Sequence, residues 1–132
     1  MTRKSLTKHD RNYSAIFAYR VPLGDHVKML RIMRGLSKVY TKHGCLGVQL
    51  YLWRATEIYE SLAGLHKLLG ATSSDELWLE IDSYPSEESV GTVVRAVGED
   101  PEAKLLWNKL QRITGPGRSV SMGDFPKLLH VC

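Results

Sequence analysis

From Asp75 to Tyr84 apolar and polar side chains alternate. Leu77, Leu79 and Ile81 fall on one side of an extended strand, and Glu76, Trp78, Glu80, Asp82 and Tyr84 fall on the other. Further along the chain the period changes. Met29, Met33, Leu36 and Tyr40 recur at three- to four-residue steps, with Lys28, Arg31, Lys38 and Lys42 away from that row, which predicts an amphipathic helix with a basic outer face. Asp25 stands where its N-cap belongs, and Lys42-His43-Gly44 makes a favourable C-terminal turn. Before it, the aromatic and small apolar residues of 12–22 predict a strand closed by Pro22. After it, residues 45–54 predict a second strand, with Leu46, Val48, Leu50 and Leu52 on one face and Gln49, Tyr51 and Trp53 on the other.

Ile58, Leu62, Leu65 and Leu69 are spaced for a short helix inserted before the strand at 75–84, and Thr72–Asp75 makes the turn into that strand. Ser86 followed by Glu87 and Glu88 predicts a capped helix start, and Val90, Val93, Val94 and Val97 form its apolar stripe. Asp100-Pro101 restarts the helix, Leu106, Leu110 and Ile113 face inward, and Gly115-Pro116-Gly117 ends it. Residues 118–132 begin as a last strand, broken by Pro126. Strand, helix, strand, helical insertion, strand, broken helix, strand is an α+β order: the ferredoxin-like β-α-β-β-α-β sandwich. Right-handed crossovers put strands one and three in the centre and strands two and four at the edges.

At 132 residues, 43% hydrophobic and 24% charged, the chain reads as one ordinary globular domain. The net charge of +4 is mostly local. Residues 1–11 carry +3 of it, so they read as a basic flexible tail ahead of a nearly neutral domain over 12–132. The tail lacks the apolar core of a secretory signal, and the uncharged run 44–53 is too short to span a bilayer. Cys45 and Cys132 have no metal spacing and should lie near opposite sheet edges, so no disulfide framework is expected and a reducing, cytoplasmic setting fits best.

With both helices on one face of the sheet, the leucine rows of strands two and three are expected to meet them. The other face then presents Gln49, Tyr51 and Trp53 beside Trp78, Glu80, Asp82 and Tyr84, with Tyr13, Phe17 and Tyr19 joining if strand one is so oriented. So many aromatics beside carboxylates suit neither open solvent nor a dry core. They suit a self-complementary interface enclosing a partly wet pocket, and hence a homodimer through the sheet face.

Val21-Pro22, Lys42-His43-Gly44, Glu99-Asp100-Pro101 and Gly123-Asp124-Phe125 occur in this order along the chain. In them the chain resembles the dimeric α/β-barrel superfamily over roughly 12–130, and within it a prokaryotic family known only as a domain of unknown function. The resemblance implies the fold and dimerisation. The wider superfamily includes cofactor-free monooxygenases, small-ring isomerases, haem-degrading enzymes and proteins without known activity, so function stays open.

Glu80 is the first candidate for chemistry: among Trp78, Tyr51 and Trp53, desolvation would disfavour its charged form and make it a general base toward a small, planar, enolisable ligand. Cross-dimer ion pairing of Glu80 and Asp82 is the plainer alternative. His43 is a second candidate, as an acid or hydrogen-bond donor, although helix capping is its ordinary explanation. Tyr13, Phe17, Gln49, Tyr51, Trp53, Trp78 and Asp82 form the expected ligand-binding set. His26, His66 and His130 show no metal spacing, so no metal site and no cofactor are expected. Carboxylates on the open face argue against nucleic acid. Two functions compatible with this pattern are a cofactor-free enzyme (proton abstraction, isomerisation or oxygenation) and a non-catalytic ligand-binding or assembly homodimer.

Overall fold

The structure, a computed structural model, describes residues 12–53, 70, 72–115 and 119–126, the last stretch as backbone. The described elements are β1 (Tyr13–Pro22), α1 (His26–Lys42), β2 (Gly47–Leu52), β3 (Asp75–Tyr84), α2 (Glu87–Glu99), α3 (Pro101–Thr114) and β4 (Ser119–Pro126). The helix expected at 56–69, the tail at 1–11 and Cys132 lie outside the described residues.

The strands form one antiparallel sheet in the order β2-β3-β1-β4, with β1 and β3 central as the crossover rule requires. This is the ferredoxin-like α+β fold. β1 pairs with β3 along its whole length, Tyr13 opposite Tyr84 and Pro22 opposite Asp75. Against β4 the register shifts between Ile16 and Phe17, a bulge in the last strand.

Helix ends follow their local chemistry. A 3-10 turn, Leu23–Asp25, leads into α1; Asp25 occupies the N-cap position, but its side chain makes no capping bond. At the other end the backbone turns at Gly44, whose φ of 115° favours glycine. α2 opens on a reciprocal capping box between Ser86 and Ser89. Asp100 then accepts from the Glu102 N–H at 3.0 Å, and Pro101 takes the first helical position of α3. The Asp100 carboxylate also receives His43 Nε2 at 2.9 Å and Lys42 Nζ at 3.4 Å, tying the end of α1 to the start of α3.

The core lies between the helices and one face of the sheet. Met29, Ile32, Met33 and Leu36 of α1 and Leu110 of α3 pack on Tyr19, Val21 and Trp78. Val39, Val93, Val97 and Ala103 pack on Ala15, Cys45 and Tyr84. Gly35 lets α1 approach α3 closely, since a Cβ there would stand 2.9 Å from Leu106 Cδ1. Val94, expected inward, is exposed, because α2 buries only Val93 and Val97.

One expectation is overturned. β3 turns Trp78, Glu80, Asp82 and Tyr84 toward the helices, not away from them. Their neighbours on that face are Tyr13, Ala15, Phe17 and Tyr19 of β1 and Val48 and Leu50 of β2. The opposite face carries Ile16 and Ala18, Gln49 and Tyr51, and Leu77, Leu79 and Ile81. The leucine row of β2 therefore shares a side with the carboxylates of β3, while the leucine row of β3 is turned outward. The physical reason is that β1 and β3 send their largest aromatics to one side. Burying Tyr19, Trp78 and Tyr84 there outweighs keeping two carboxyls in water, provided those carboxyls find partners.

Candidate active site

Glu80 and Asp82 are both buried, 6% and 2% exposed, two residues apart on the covered face of β3. Glu80 has a partner that makes its burial tolerable. Tyr19 Oη donates to Glu80 Oε1 at 2.9 Å, reaching across from β1. The Asp82 carboxyl is pushed well above the usual carboxylate range, first by burial and then by Glu80 beside it. Asp82 therefore holds its proton at neutral pH. The arrangement follows the rule that adjacent buried carboxyls do not both ionise.

The surrounding phenols are neutral. Burial is the largest cause raising Tyr19, Tyr40 and Tyr84, with the carboxyl pair adding to it, so all three keep their protons throughout the physiological range. Among the described residues, Trp78 Nε1 and Asp82 Oδ1 on this face are buried side-chain atoms with no hydrogen-bond partner. Buried orphans of this kind are rare in native folds, and a catalytic role is one explanation for them. Trp78 is held in place by the His26 ring, edge-on with centroids 5.3 Å apart, and His26 Nδ1 in turn meets Glu76 Oε1 at 2.7 Å.

A small cavity of about 20 Å³ opens beside Glu80, enclosed by Phe17, Tyr19 and Val48 of the sheet, Met33, Leu36, Ser37 and Tyr40 of α1, and Trp107 and Leu110 of α3. It accommodates roughly one water-sized group. Trp107, 37% exposed, stands at its edge.

The expected site residues thus divide. Glu80, Asp82, Tyr13, Phe17 and Trp78 are brought together on the covered face. Gln49 and Tyr51, with Trp53 next in the alternation, are on the other face and do not reach the carboxyl pair. His43 caps α1, bonds Asp100 and does not line the cavity. Tyr19, Tyr40 and Trp107 complete the site; Tyr40 was visible in the sequence only as part of the inward row of α1, and Trp107 carried no periodic signal. Among the described residues no group of acids, histidines and cysteines is arranged to hold a metal ion. Nor is any described helix long and apolar enough to cross a membrane.

No family model and no curated protein matches the chain. Its fold does match solved structures. At a TM-score of 0.57 and 10% identity it is similar to SnoaB, a cofactor-independent oxygenase from Streptomyces nogalater, over 91% of this chain and 96% of that one. A putative antibiotic biosynthesis monooxygenase from Nitrosomonas europaea matches at 0.57 and 7% identity, over 95% and 96%. So does a dimeric ferredoxin-like protein of unknown function from Jannaschia sp. CCS1, at 0.57 and 10% identity, over 86% and 97%. At these identities the likeness establishes the fold that this chain shares with monooxygenase-type and dimeric ferredoxin-like proteins.

Proposed function

We propose that this protein is a cofactor-free small-molecule enzyme that abstracts a proton from a small, planar, enolisable ligand, with Glu80 as the base. The observation that carries the proposal is the buried Glu80–Asp82 pair, with Glu80 at the wall of a cavity lined by aromatics. Glu80 takes the proton on Oε2, because Oε1 already accepts from Tyr19. The neutral Tyr40 hydroxyl is the donor for the enolate oxygen that develops. Return of the proton to another carbon gives isomerisation; reaction of the enolate with dioxygen gives oxygenation, the activity named for SnoaB. A planar ligand is larger than the present cavity, so Trp107 must swing out to admit it.

The test is solvent deuterium incorporation into planar carbon acids (β-diketones and hydroxynaphthoquinones), followed by proton NMR. The wild type is expected to accelerate exchange, and Glu80→Gln to lose about 10²–10⁴-fold of that acceleration. A folded Glu80→Gln protein exchanging at the wild-type rate refutes the assignment.

A second reading is favoured by the outward row of β3. Leu79 and Ile81 are half-buried and lie beside the exposed Tyr51, a surface suited to a second copy of the sheet. In that reading the protein is a ligand-binding or assembly homodimer without turnover. Dimerisation through this face, in a cytoplasmic setting, belongs to both readings, and native mass spectrometry at low concentration tests the dimer.

A further inference from the structure

On their outer sides α1 and α3 enclose a second concavity, a cleft of about 420 Å³, within the range of small-molecule sites. Lys28 and Arg31 line it from α1, Lys109 and Arg112 from α3. Each pair is separated by three residues, so each helix presents both of its cations on one face, toward the other helix. All four side chains are exposed, and none forms an ion pair with a described residue. Asp25 is the only acid lining the cleft among the described residues, which leaves its walls at +3. Between the charges lie Ile32, buried, and Ile113, half-buried.

Cations of one sign facing each other across a groove repel unless an anion lies between them. Two arginines supply planar forks that fit phosphate oxygens in pairs, and two lysines add point charges. A wall charge of +3 matches a diphosphate ester, and the two isoleucines offer a dry surface to the organic group it carries. The cleft is bounded and partly apolar, unlike the extended basic stripe that tracks a nucleic-acid backbone. Glu80 and Asp82, expected on an open face where they would repel phosphates, are buried; what disfavours a nucleic-acid backbone is the shape of the cleft.

We propose that the cleft between α1 and α3 is a binding site for an organic diphosphate, held by Lys28, Arg31, Lys109 and Arg112 with its organic group over Ile32 and Ile113. The site is separate from the Glu80 cavity and does not depend on what happens there.

The full chain is titrated with ADP, inorganic pyrophosphate and adenosine, by calorimetry and by amide NMR shifts. ADP is expected to bind saturably, more tightly than pyrophosphate, with shifts centred on α1 and α3, and to weaken as salt is raised. Adenosine alone is expected not to bind. Arg31→Glu/Arg112→Glu, both exposed, is expected to keep the wild-type circular dichroism and to weaken ADP at least about tenfold. Arg31→Gln/Arg112→Gln repeats the test without charge reversal should the first variant misfold. Saturable shifts absent in the wild type, or unchanged affinity in a folded double variant, overturn the proposal. Pyrophosphate binding as tightly as ADP overturns the role of the isoleucines, and a single-stranded oligonucleotide binding more tightly than ADP overturns the small-molecule reading.

Discussion

Asp82→Asn separates a protonated buried carboxyl from an ionised one by the pH dependence it produces. Asp82 is 2% exposed, and its folded carboxyl is raised by burial, then by Glu80 beside it. Below its ordinary value near 3.8 both the folded and the unfolded chain carry the proton, so this group costs nothing. Above it the unfolded chain releases the proton while the fold retains it, and stability falls by up to about 1.4 kcal/mol per pH unit. By pH 7 the cost reaches on the order of 4 kcal/mol, with relaxation of the site lowering the measured figure. Asparagine keeps the shape but has no proton to lose. The variant should therefore match the wild type near pH 4 and exceed it increasingly up to pH 7. Urea unfolding of both proteins at unit pH steps measures this directly. A variant destabilised by the same amount at every pH would show that Asp82 is not a proton-holding group.

Most of the fold was legible because its signals are local. Pro22 closing β1, the Ser86 cap, the Asp100-Pro101 restart and the inward row of α1 each rest on backbone chemistry within a few residues. The facing of β3 was not local. Leu77, Leu79 and Ile81 and the row from Glu76 to Tyr84 were read by polarity alone, and by that measure the carboxylates belonged outside. The deciding information sat on another strand. Tyr19 pairs with Trp78 and Phe17 with Glu80, so orienting β1 orients β3, and Tyr19 also supplies the hydrogen bond that makes Glu80 tolerable inside. The raised Asp82 carboxyl depends on burial beside Glu80 and has no signature in the sequence.

Two further predictions follow from the packing and the ion pairs. Gly35→Val should destabilise the fold by about 1 kcal/mol, since its side chain meets Leu106 of α3; a chevron or urea titration reads it. Asp100 is held down to about 2, first by the His43 hydrogen bond, with the Glu102 N–H and Lys42 assisting. Its lowered value means that its contribution is present above about 4 and is lost as pH falls toward 2. Asp100→Asn should flatten the acid limb of the stability curve over that window, and an unchanged limb would remove Asp100 from the account.

On the helix-covered face of the sheet Asp82 keeps its proton beside Glu80. Side-chain ¹³C carboxyl shifts of Asp82 and Glu80, followed from pH 3 to pH 10, test it most directly. Asp82 is expected to show no titration near 4 and to move only above neutrality, with its profile changed in Glu80→Gln. An Asp82 resonance that titrates near 4, like a solvated aspartate, would contradict it.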